Sequence, residues 1–185
     1  MHAHGVRTVL TLRTVGTEDP EPDLAAVPPD VAVERVFVED ATDPEFRRRC
    51  IDTGWWATPL EWPEMLRSWP QRCAAVVSAV ARAPRGGVVL SCGIGRDRTG
   101  LATFLVLALA RVPAAVIADD WALSLEALAQ DPLAQGLPVL EVLEREHTTA
   151  VAVIEAALAL GVERQLLAGG ARPAELRTAR ARLIE

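Results

Sequence analysis

The sequence VVLSCGIGRDRTGLA, residues 88–102, places a short apolar strand directly before a glycine-rich loop and a long apolar helix. The loop holds Cys92 and two arginines, which a buried strand–helix junction does not otherwise favour. A dinucleotide-binding fingerprint would need a glycine where Arg98 stands, and a Walker A loop would need a lysine where Leu101 stands. Both common glycine-rich motifs are therefore excluded.

The spacing that remains is a cysteine, five residues, an arginine and then Thr99-Gly100. A loop over residues 93–98 that closes onto a helix N-terminus directs backbone N–H groups inward and forms an anion-binding nest. Glycines allow the close approach, Arg98 can clamp two phosphate oxygens, and the setting favours the thiolate form of Cys92. A thiolate beneath a bound phosphate monoester is placed to attack phosphorus.

The segment CGIGRDRTG, residues 92–100, resembles the signature loop HCxxGxxR[ST]G of the cysteine-dependent protein tyrosine phosphatases. Within that family it looks like the bacterial branch with HCxAGKDRTG, which includes tyrosine, dual-specificity and phosphoinositide phosphatases. GVRTVLTLR at residues 5–13 is similar to an early strand of the branch, and residues 98–124 and 161–183 resemble later segments. The resemblance implies an α/β fold with a mostly parallel central sheet flanked by helices, in one phosphatase-like domain over residues 1–185.

The resemblance also implies roles for the loop residues. Cys92 is the nucleophile that forms a phosphocysteine, Arg98 stabilises the transition state, and Thr99 helps the thiolate to leave in the second step. The family uses no metal or other cofactor for this chemistry, and we expect none here. The phosphate-binding residues implied are Gly93, Ile94, Gly95, Arg96, Asp97 and Arg98.

A general acid must protonate the leaving oxygen and then act as a base towards water. In this family it is an aspartate on a separate loop, which in the bacterial branch follows the second strand. Asp40, at the end of VFVED, is the best match, with Asp43 second and Asp52 third. The sequence leaves the choice between Asp40 and Asp43 open, although Asp43 is also placed to cap a short helix.

Three features depart from the family pattern. Ser91 stands where the family has a histidine that braces the loop, and a serine can make one or two of the same hydrogen bonds. Arg96 replaces the lysine of GKDRTG, which keeps the charge and changes the geometry. The branch carries a segment with an NFRDLGG-like motif ahead of its first strand, and because the strand starts at about Gly5 we expect that segment to be short or missing here. Two alternatives stay open: a phosphate-binding pseudophosphatase, and a rhodanese-like sulfurtransferase, which also uses a cysteine and a cradle loop.

Composition limits the partners. A net charge of −6 argues weakly against nucleic acid as a partner. The resemblance implies that the partner is a phosphorylated protein or a phosphoinositide. The separated cysteines Cys50, Cys73 and Cys92 argue against disulfides and a zinc site, and a reducing, cytoplasmic location fits them. The most apolar run, residues 101–110, is too short to form an integral membrane segment.

Periodicity predicts three strands, at residues 5–12, 33–38 and 88–90, the last being central in the sheet because it lacks polar alternation. Residues 131–138 are predicted to be a linker. Helices are predicted at residues 72–83, 101–110, 113–130 and 139–160, with two short ones after Gly161 that are broken at Gly169-Gly170 and Pro173.

Four further features have ordinary structural explanations beside functional ones. The tryptophans between residues 55 and 69 favour the core, although Trp55 and Trp56 could border the pocket and pack on an aromatic substrate. The run at residues 47–49, three arginines, is most often a helix face; near the pocket it would favour acidic substrates or anionic lipid head groups. Cys50 and Cys73 are expected to be buried thiols, and His147 to lie on a solvated helix face.

Overall fold

A computed structural model of the protein describes residues 4–18, 27–129 and 139–184. This part of the chain is an α/β structure in which three strands form one parallel sheet, in the order β2–β1–β3. The strands are β1 (Val6–Val15), β2 (Ala32–Asp40) and β3 (Gly87–Ser91). The helices are α1 (Pro44–Phe46), α2 (Glu61–Ser68), α3 (Pro70–Arg82), α4 (Asp97–Leu109), α5 (Ala114–Leu128), α6 (Val139–Arg145), α7 (Ala150–Ala159), α8 (Val162–Ala168) and α9 (Pro173–Ile184), with a π-helical turn (Arg47–Ile51) after α1.

The central strand is β1, so the prediction that β3 is central is wrong. Within the described residues β3 pairs with β1 alone, and all five of its residues are half-buried. Its apolar run has another cause, because Val88 and Leu90 pack against the main core beneath the helices. The alternation of polar and apolar residues along a strand indicates whether its two faces are covered. It does not indicate where the strand lies in the order of the sheet.

The main core lies between one face of the sheet and the helices. Leu10 and Leu12 of β1 are fully buried there, where the faces of α3 and α4 meet the sheet. Trp62 stacks on Phe104 of α4 with a centroid distance of 5.3 Å, and it meets Trp121 edge-on at 6.4 Å. This aromatic group holds α2, α4 and α5 together directly behind the segment that follows Cys92.

The strand register sets the heights of the residues at the carboxyl edge of the sheet. Ser91 of β3 lies opposite Thr11, whereas Asp40 of β2 lies opposite Val15. A bulge in β2 shifts the register between Arg13 and Thr14, which re-aims the last side chains of that strand. The end of β2 therefore extends about four residues, roughly 13 Å, further along the sheet than the end of β3.

The helix predictions are confirmed for α3, α4, α5, α8 and α9, with boundaries moved by a few residues. The predicted continuous helix over residues 139–160 is wrong, because the chain forms α6 and α7 instead. His147 adopts a left-handed conformation with φ of 50°, and Thr149 caps α7 by accepting a bond from the N–H of Ala152. The predicted linker at residues 131–138 lies outside the described residues. Among the helices that are described, none is long and apolar enough to cross a membrane.

Candidate active site

Cys92 directly follows β3, and the loop after it leads into the first turn of α4 at Asp97. The cysteine is half-buried at the carboxyl edge of the sheet, next to the central strand. Gly95 turns the loop with a φ of +79°, a conformation that a residue with a side chain rarely adopts. The loop is thus a tight connection that ends at a helix N-terminus, as the spacing of the motif predicts.

The backbone of this loop presents hydrogen-bond donors. The N–H groups of Gly93, Ile94 and Gly95 have no acceptor among the described residues. They lie ahead of the N-terminus of α4, a helix of 13 residues whose dipole favours negative charge at that end. Donors of this kind at such a position form an anion-binding nest.

Arg98 folds back across the loop. Its Nη1 donates a hydrogen bond of 3.2 Å to the carbonyl oxygen of Leu12 in β1. A Cβ atom placed on Gly93 would lie 3.4 Å from Nη2 of the same side chain. The guanidinium is therefore anchored to the central strand and lies beside the residue that follows Cys92, where it can reach an anion held by the loop.

Thr99, in the first turn of α4, has a buried hydroxyl. Its Oγ1 has no hydrogen-bond partner among the described residues. A buried hydroxyl without a partner is costly, so the hydroxyl of Thr99 has an unused hydrogen-bonding capacity next to the loop.

Arg96 is turned into the protein, with only 2% of its surface exposed. Its Nε donates to Oδ1 of Asp97 at 2.6 Å, and its Nη2 donates to the carbonyl oxygen of Ala57 at 3.4 Å. Arg96 is therefore a buried, paired side chain and does not lie on the solvated surface. Burial raises the pKa of the Asp97 carboxyl, although the hydrogen bond from Arg96 acts in the opposite direction.

Two buried glutamates lie behind the loop, and sequence reasoning missed both. Glu39 is 1% exposed and accepts a hydrogen bond of 2.5 Å from Thr14, while Glu61 is fully buried. Burial raises the pKa of Glu39, and Arg98 opposes this shift. Burial also raises the pKa of Glu61 well above its usual range, and the neighbouring Glu39 carboxyl adds to the effect. Burial thus favours the neutral form of each glutamate over its charged form.

Trp56 connects this buried pair to the surface. Its Nε1 donates a hydrogen bond of 3.1 Å to Oε2 of Glu39, while 36% of the residue remains exposed. Trp62 and Trp69 are buried, which confirms that part of the tryptophan segment belongs to the core. No pattern in the sequence indicates that Trp56 and Glu39 meet, because the two residues are 17 positions apart on different elements.

Asp40 lies at the carboxyl end of β2 with both carboxylate oxygens engaged. Oδ1 accepts from the hydroxyl of Thr42 at 2.6 Å and from its backbone N–H at 3.0 Å. Oδ2 accepts from Nη2 of Arg72, in α3, at 2.7 Å. The Thr42 hydroxyl contributes most to lowering the pKa of Asp40, and the Arg72 guanidinium adds to the effect.

Asp43 is the N-cap of α1, as its position in the sequence predicts. Its Oδ1 accepts from the N–H groups of Glu45 and Phe46, and its Oδ2 accepts from the indole of Trp69. Every acceptor oxygen of Asp43 is thus used in local structure. Asp52, the third alternative, is exposed after the π-helical turn.

The arginine run at residues 47–49 is partly compensated by nearby acids. Arg48 and Arg49 both pair with Glu45, and Arg49 also reaches Glu64. Such a run presents less positive charge than its sequence suggests, and this weakens the case for an anionic lipid surface. Cys50 and Cys73 are fully buried, and burial raises the pKa of the Cys73 thiol to about 12, which confirms them as ordinary core thiols.

An apolar cavity of about 290 Å³ lies on the far side of β3, away from this loop. Its walls come from β3, α3, α4 and α9, and no residue of the segment 92–98 lines it. In the described ranges, no group of three or more histidine, cysteine or acidic side chains is arranged to hold a metal ion.

Comparison with known proteins agrees with the geometry of the loop. A family model described as the tyrosine phosphatase family matches residues 1–183, almost the whole chain. A search of curated proteins finds no match. The matched range includes β3, the loop after Cys92 and the acidic segment after β2. The chain therefore belongs to the tyrosine phosphatase family, and it is a phosphatase that acts on a phosphorylated substrate.

Proposed function

We propose that the protein hydrolyses phosphate monoesters through a phosphocysteine formed on Cys92, with phosphotyrosine as the leading substrate. The observation behind this proposal is the position of Arg98, anchored to Leu12 and folded beside Gly93 at the mouth of a loop with unengaged N–H groups. A phosphate in this loop would be held by backbone donors and a guanidinium, with a thiolate below it.

In the first step, the Cys92 thiolate attacks phosphorus and forms a P–S bond, while the P–O ester bond breaks. Asp40 gives its proton to the departing oxygen and becomes a carboxylate. In the second step, water attacks phosphorus, Asp40 takes the proton of that water, and the P–S bond breaks. Inorganic phosphate leaves, and Thr99 donates a hydrogen bond to the restored thiolate.

The position of Asp40 in the sheet supports its role. Cys92 follows Ser91 and is level with Leu12, so Asp40 stands about three residues, or roughly 10 Å, further along the strand direction. The two strands are separated by β1, which adds roughly 10 Å sideways. Asp40 ends β2 and Cys92 directly follows β3, so both lie at the carboxyl edge of the sheet, and this shared edge is what supports the assignment.

Asp40 and Asp43 both have their carboxylate oxygens engaged, Asp40 with Thr42 and Arg72, and Asp43 with the cap of α1 and Trp69. We choose Asp40 because it ends β2, where the resemblance places the general acid.

Because acids pair with two of the three arginines at residues 47–49, the run argues less strongly for a phosphoinositide substrate than its sequence suggests, and the proposal includes dual specificity. We also propose that one domain over residues 1–185 contains the whole site, and that it acts in the cytoplasm, where Cys92 stays reduced.

The test is the hydrolysis of p-nitrophenyl phosphate as a function of pH by the native chain, Cys92→Ser and Asp40→Asn. We expect turnover by the native chain, none by Cys92→Ser, and a loss of about a hundredfold or more in Asp40→Asn. Phosphotyrosine peptides and soluble phosphoinositides then rank the substrates by release of phosphate.

Two results would replace this proposal. A folded native chain that binds vanadate without releasing product would be a phosphate-binding pseudophosphatase, with Ser91 as the first position to test. Formation of a persulfide on Cys92 from a sulfane donor would indicate the sulfurtransferase. The Arg98-Thr99-Gly100 exit of the loop argues against the second outcome.

A further inference from the structure

The first turn of α3 contacts the end of β2, more than 30 residues away in sequence. Arg72 makes the contact with both ends of its guanidinium: Nη2 donates to Oδ2 of Asp40 at 2.7 Å, and Nη1 to the carbonyl oxygen of Glu39 at 3.4 Å. One side chain thus holds both the backbone and the carboxylate of the segment that supplies the proposed general acid. About a fifth of each charged side chain is exposed, so the pair is partly shielded from solvent.

We propose that Arg72 is the positioning residue of the general acid: it holds the Asp40 carboxyl and the backbone next to it in place at the edge of the sheet. This inference rests on the proposed function, because it takes Asp40 to be the proton donor. A cation next to an acid stabilises the carboxylate that remains after the proton leaves, so it makes Asp40 a stronger donor. The same cation reduces the fraction of Asp40 that is protonated at neutral pH.

The charges around Asp40 come from several elements. Arg72 approaches from α3, Asp43 from the N-cap of α1, and Glu39 from the preceding position of β2. Arg47 lies close by and donates through Nη1 to the carbonyl oxygen of Ala41 at 3.3 Å. Of the two cations, only Arg72 bonds to the Asp40 carboxylate in the contacts described, so its removal should change Asp40 most directly.

The experiment compares kcat/KM against pH for the native chain, Arg72→Met and Arg72→Gln, with p-nitrophenyl phosphate and phenyl phosphate as substrates. Phenolate is the poorer leaving group, so phenyl phosphate depends more strongly on the general acid. In both variants we expect the fall of kcat/KM on the alkaline side of the pH profile (the alkaline limb) to move to higher pH. The reason is that the Arg72 guanidinium, which stabilises the ionised form of Asp40, is gone. The plateau for phenyl phosphate should fall by about tenfold, and by less for p-nitrophenyl phosphate.

Two controls separate positioning from damage to the fold. Arg85 is an exposed arginine in the turn before β3, at the end of that strand opposite to Cys92. Arg85→Met also removes one positive charge, and it should leave the alkaline limb of the kcat/KM profile at the pH of the native chain. Arg72→Gln removes the charge but keeps a donor for the carbonyl of Glu39, so it serves if Arg72→Met does not fold. Circular dichroism and thermal unfolding establish which variants are folded.

The decisive comparison adds Asp40→Asn to Arg72→Met. If Arg72 acts through Asp40, the double variant has the profile of Asp40→Asn alone. The inference is overturned if Arg72→Met and Arg72→Gln leave the alkaline limb of the kcat/KM profile at the pH of the native chain. It is also overturned if adding Arg72→Met shifts that limb equally in a chain that already carries Asp40→Asn. If Asp40→Asn is impaired but the Arg72 variants behave like the native chain, the proposed function stands and only this inference fails. If Asp40→Asn itself behaves like the native chain, the assignment of the acid is wrong.

Discussion

The indole Nε1 of Trp69 donates a hydrogen bond of 2.9 Å to Oδ2 of Asp43, on the opposite side of the carboxylate from the helix that Asp43 caps. Trp69 is itself the N-cap residue of α3, whose first turn also provides Arg72. The start of α3 therefore binds the two aspartates, Asp40 and Asp43, between which the sequence leaves the choice of general acid open. It binds Asp43 through a neutral donor, and Asp40 through a cation.

Asp43→Ala should lower stability and spare catalysis. Loss of the cap leaves two N–H groups of α1 without their acceptor, which costs about 1 kcal/mol of unfolding free energy. Urea unfolding measures this loss, and kcat/KM for phenyl phosphate should remain close to that of the native chain. Asp40→Asn is the control variant, for which we expect the opposite result: a large loss in kcat/KM and a smaller loss in unfolding free energy than Asp43→Ala shows. A hundredfold loss of rate in Asp43→Ala with unchanged stability would reverse the assignment.

Arg96 and Asp97 should behave as a coupled buried pair. Arg96→Met leaves the largely buried Asp97 carboxyl without its closest donor, and we expect a loss of about 2–3 kcal/mol in unfolding free energy. Arg96→Met/Asp97→Leu should lose less than Arg96→Met alone, because no unpaired acid is then buried. Denaturant unfolding of both single variants and the double variant measures the coupling. Additive losses would show that the two side chains do not depend on each other.

Glu61 should make the fold less stable as the pH rises. Burial and the nearby Glu39 raise its pKa in the folded chain above the ordinary value of 4.5, so the folded state binds more protons than the unfolded state. Its contribution is therefore fully present below pH 4.5 and is lost as the pH rises towards the folded pKa. Glu61→Gln mimics the neutral form and should flatten the fall in stability between about pH 5 and pH 8. An unchanged slope in urea titrations across this range would contradict the assignment.

Gly169→Ala should disturb the contact between α8 and the start of α3. A Cβ at Gly169 would lie 2.1 Å from the backbone carbonyl oxygen of Pro70, which cannot move without shifting the helix. We expect a loss of about 3 kcal/mol in unfolding free energy, at the upper end of overpacking effects. Because Pro70 begins the turn that holds Arg72, kcat/KM should fall as well. A variant as stable as the native chain would mean that this contact is looser than the structure has it.

Much of the candidate site could be predicted from the sequence, because its parts are neighbours in the chain. The loop from Cys92 to Arg98 is seven consecutive residues, so spacing alone places a thiol, glycines and a guanidinium around one anion. The capping role of Asp43 follows in the same way from a short local signal before Pro44. Chemistry confined to one turn or one loop needs little knowledge of the rest of the fold.

The order of the strands and the surroundings of the acids could not be predicted in this way. The apolar run of β3 reports that its faces are covered, but a run of this kind is compatible with an edge or a central strand. Glu39 is buried because a bulge re-aims the end of β2 and because Thr14 and Trp56 provide donors from other elements. No property of the five letters VFVED distinguishes that outcome from an exposed glutamate.

The sequence by itself determined the reactive loop and most of the elements that support it, since these depend on contacts within a few residues. Only the tertiary structure decided that Arg72 meets Asp40, that Glu39 and Glu61 share a buried site, and that Arg96 turns inward. The physical reason is sequence separation. These pairings arise when the register of the sheet and the packing of α2 and α3 bring distant segments together, and charge partners and solvent exposure are fixed only then.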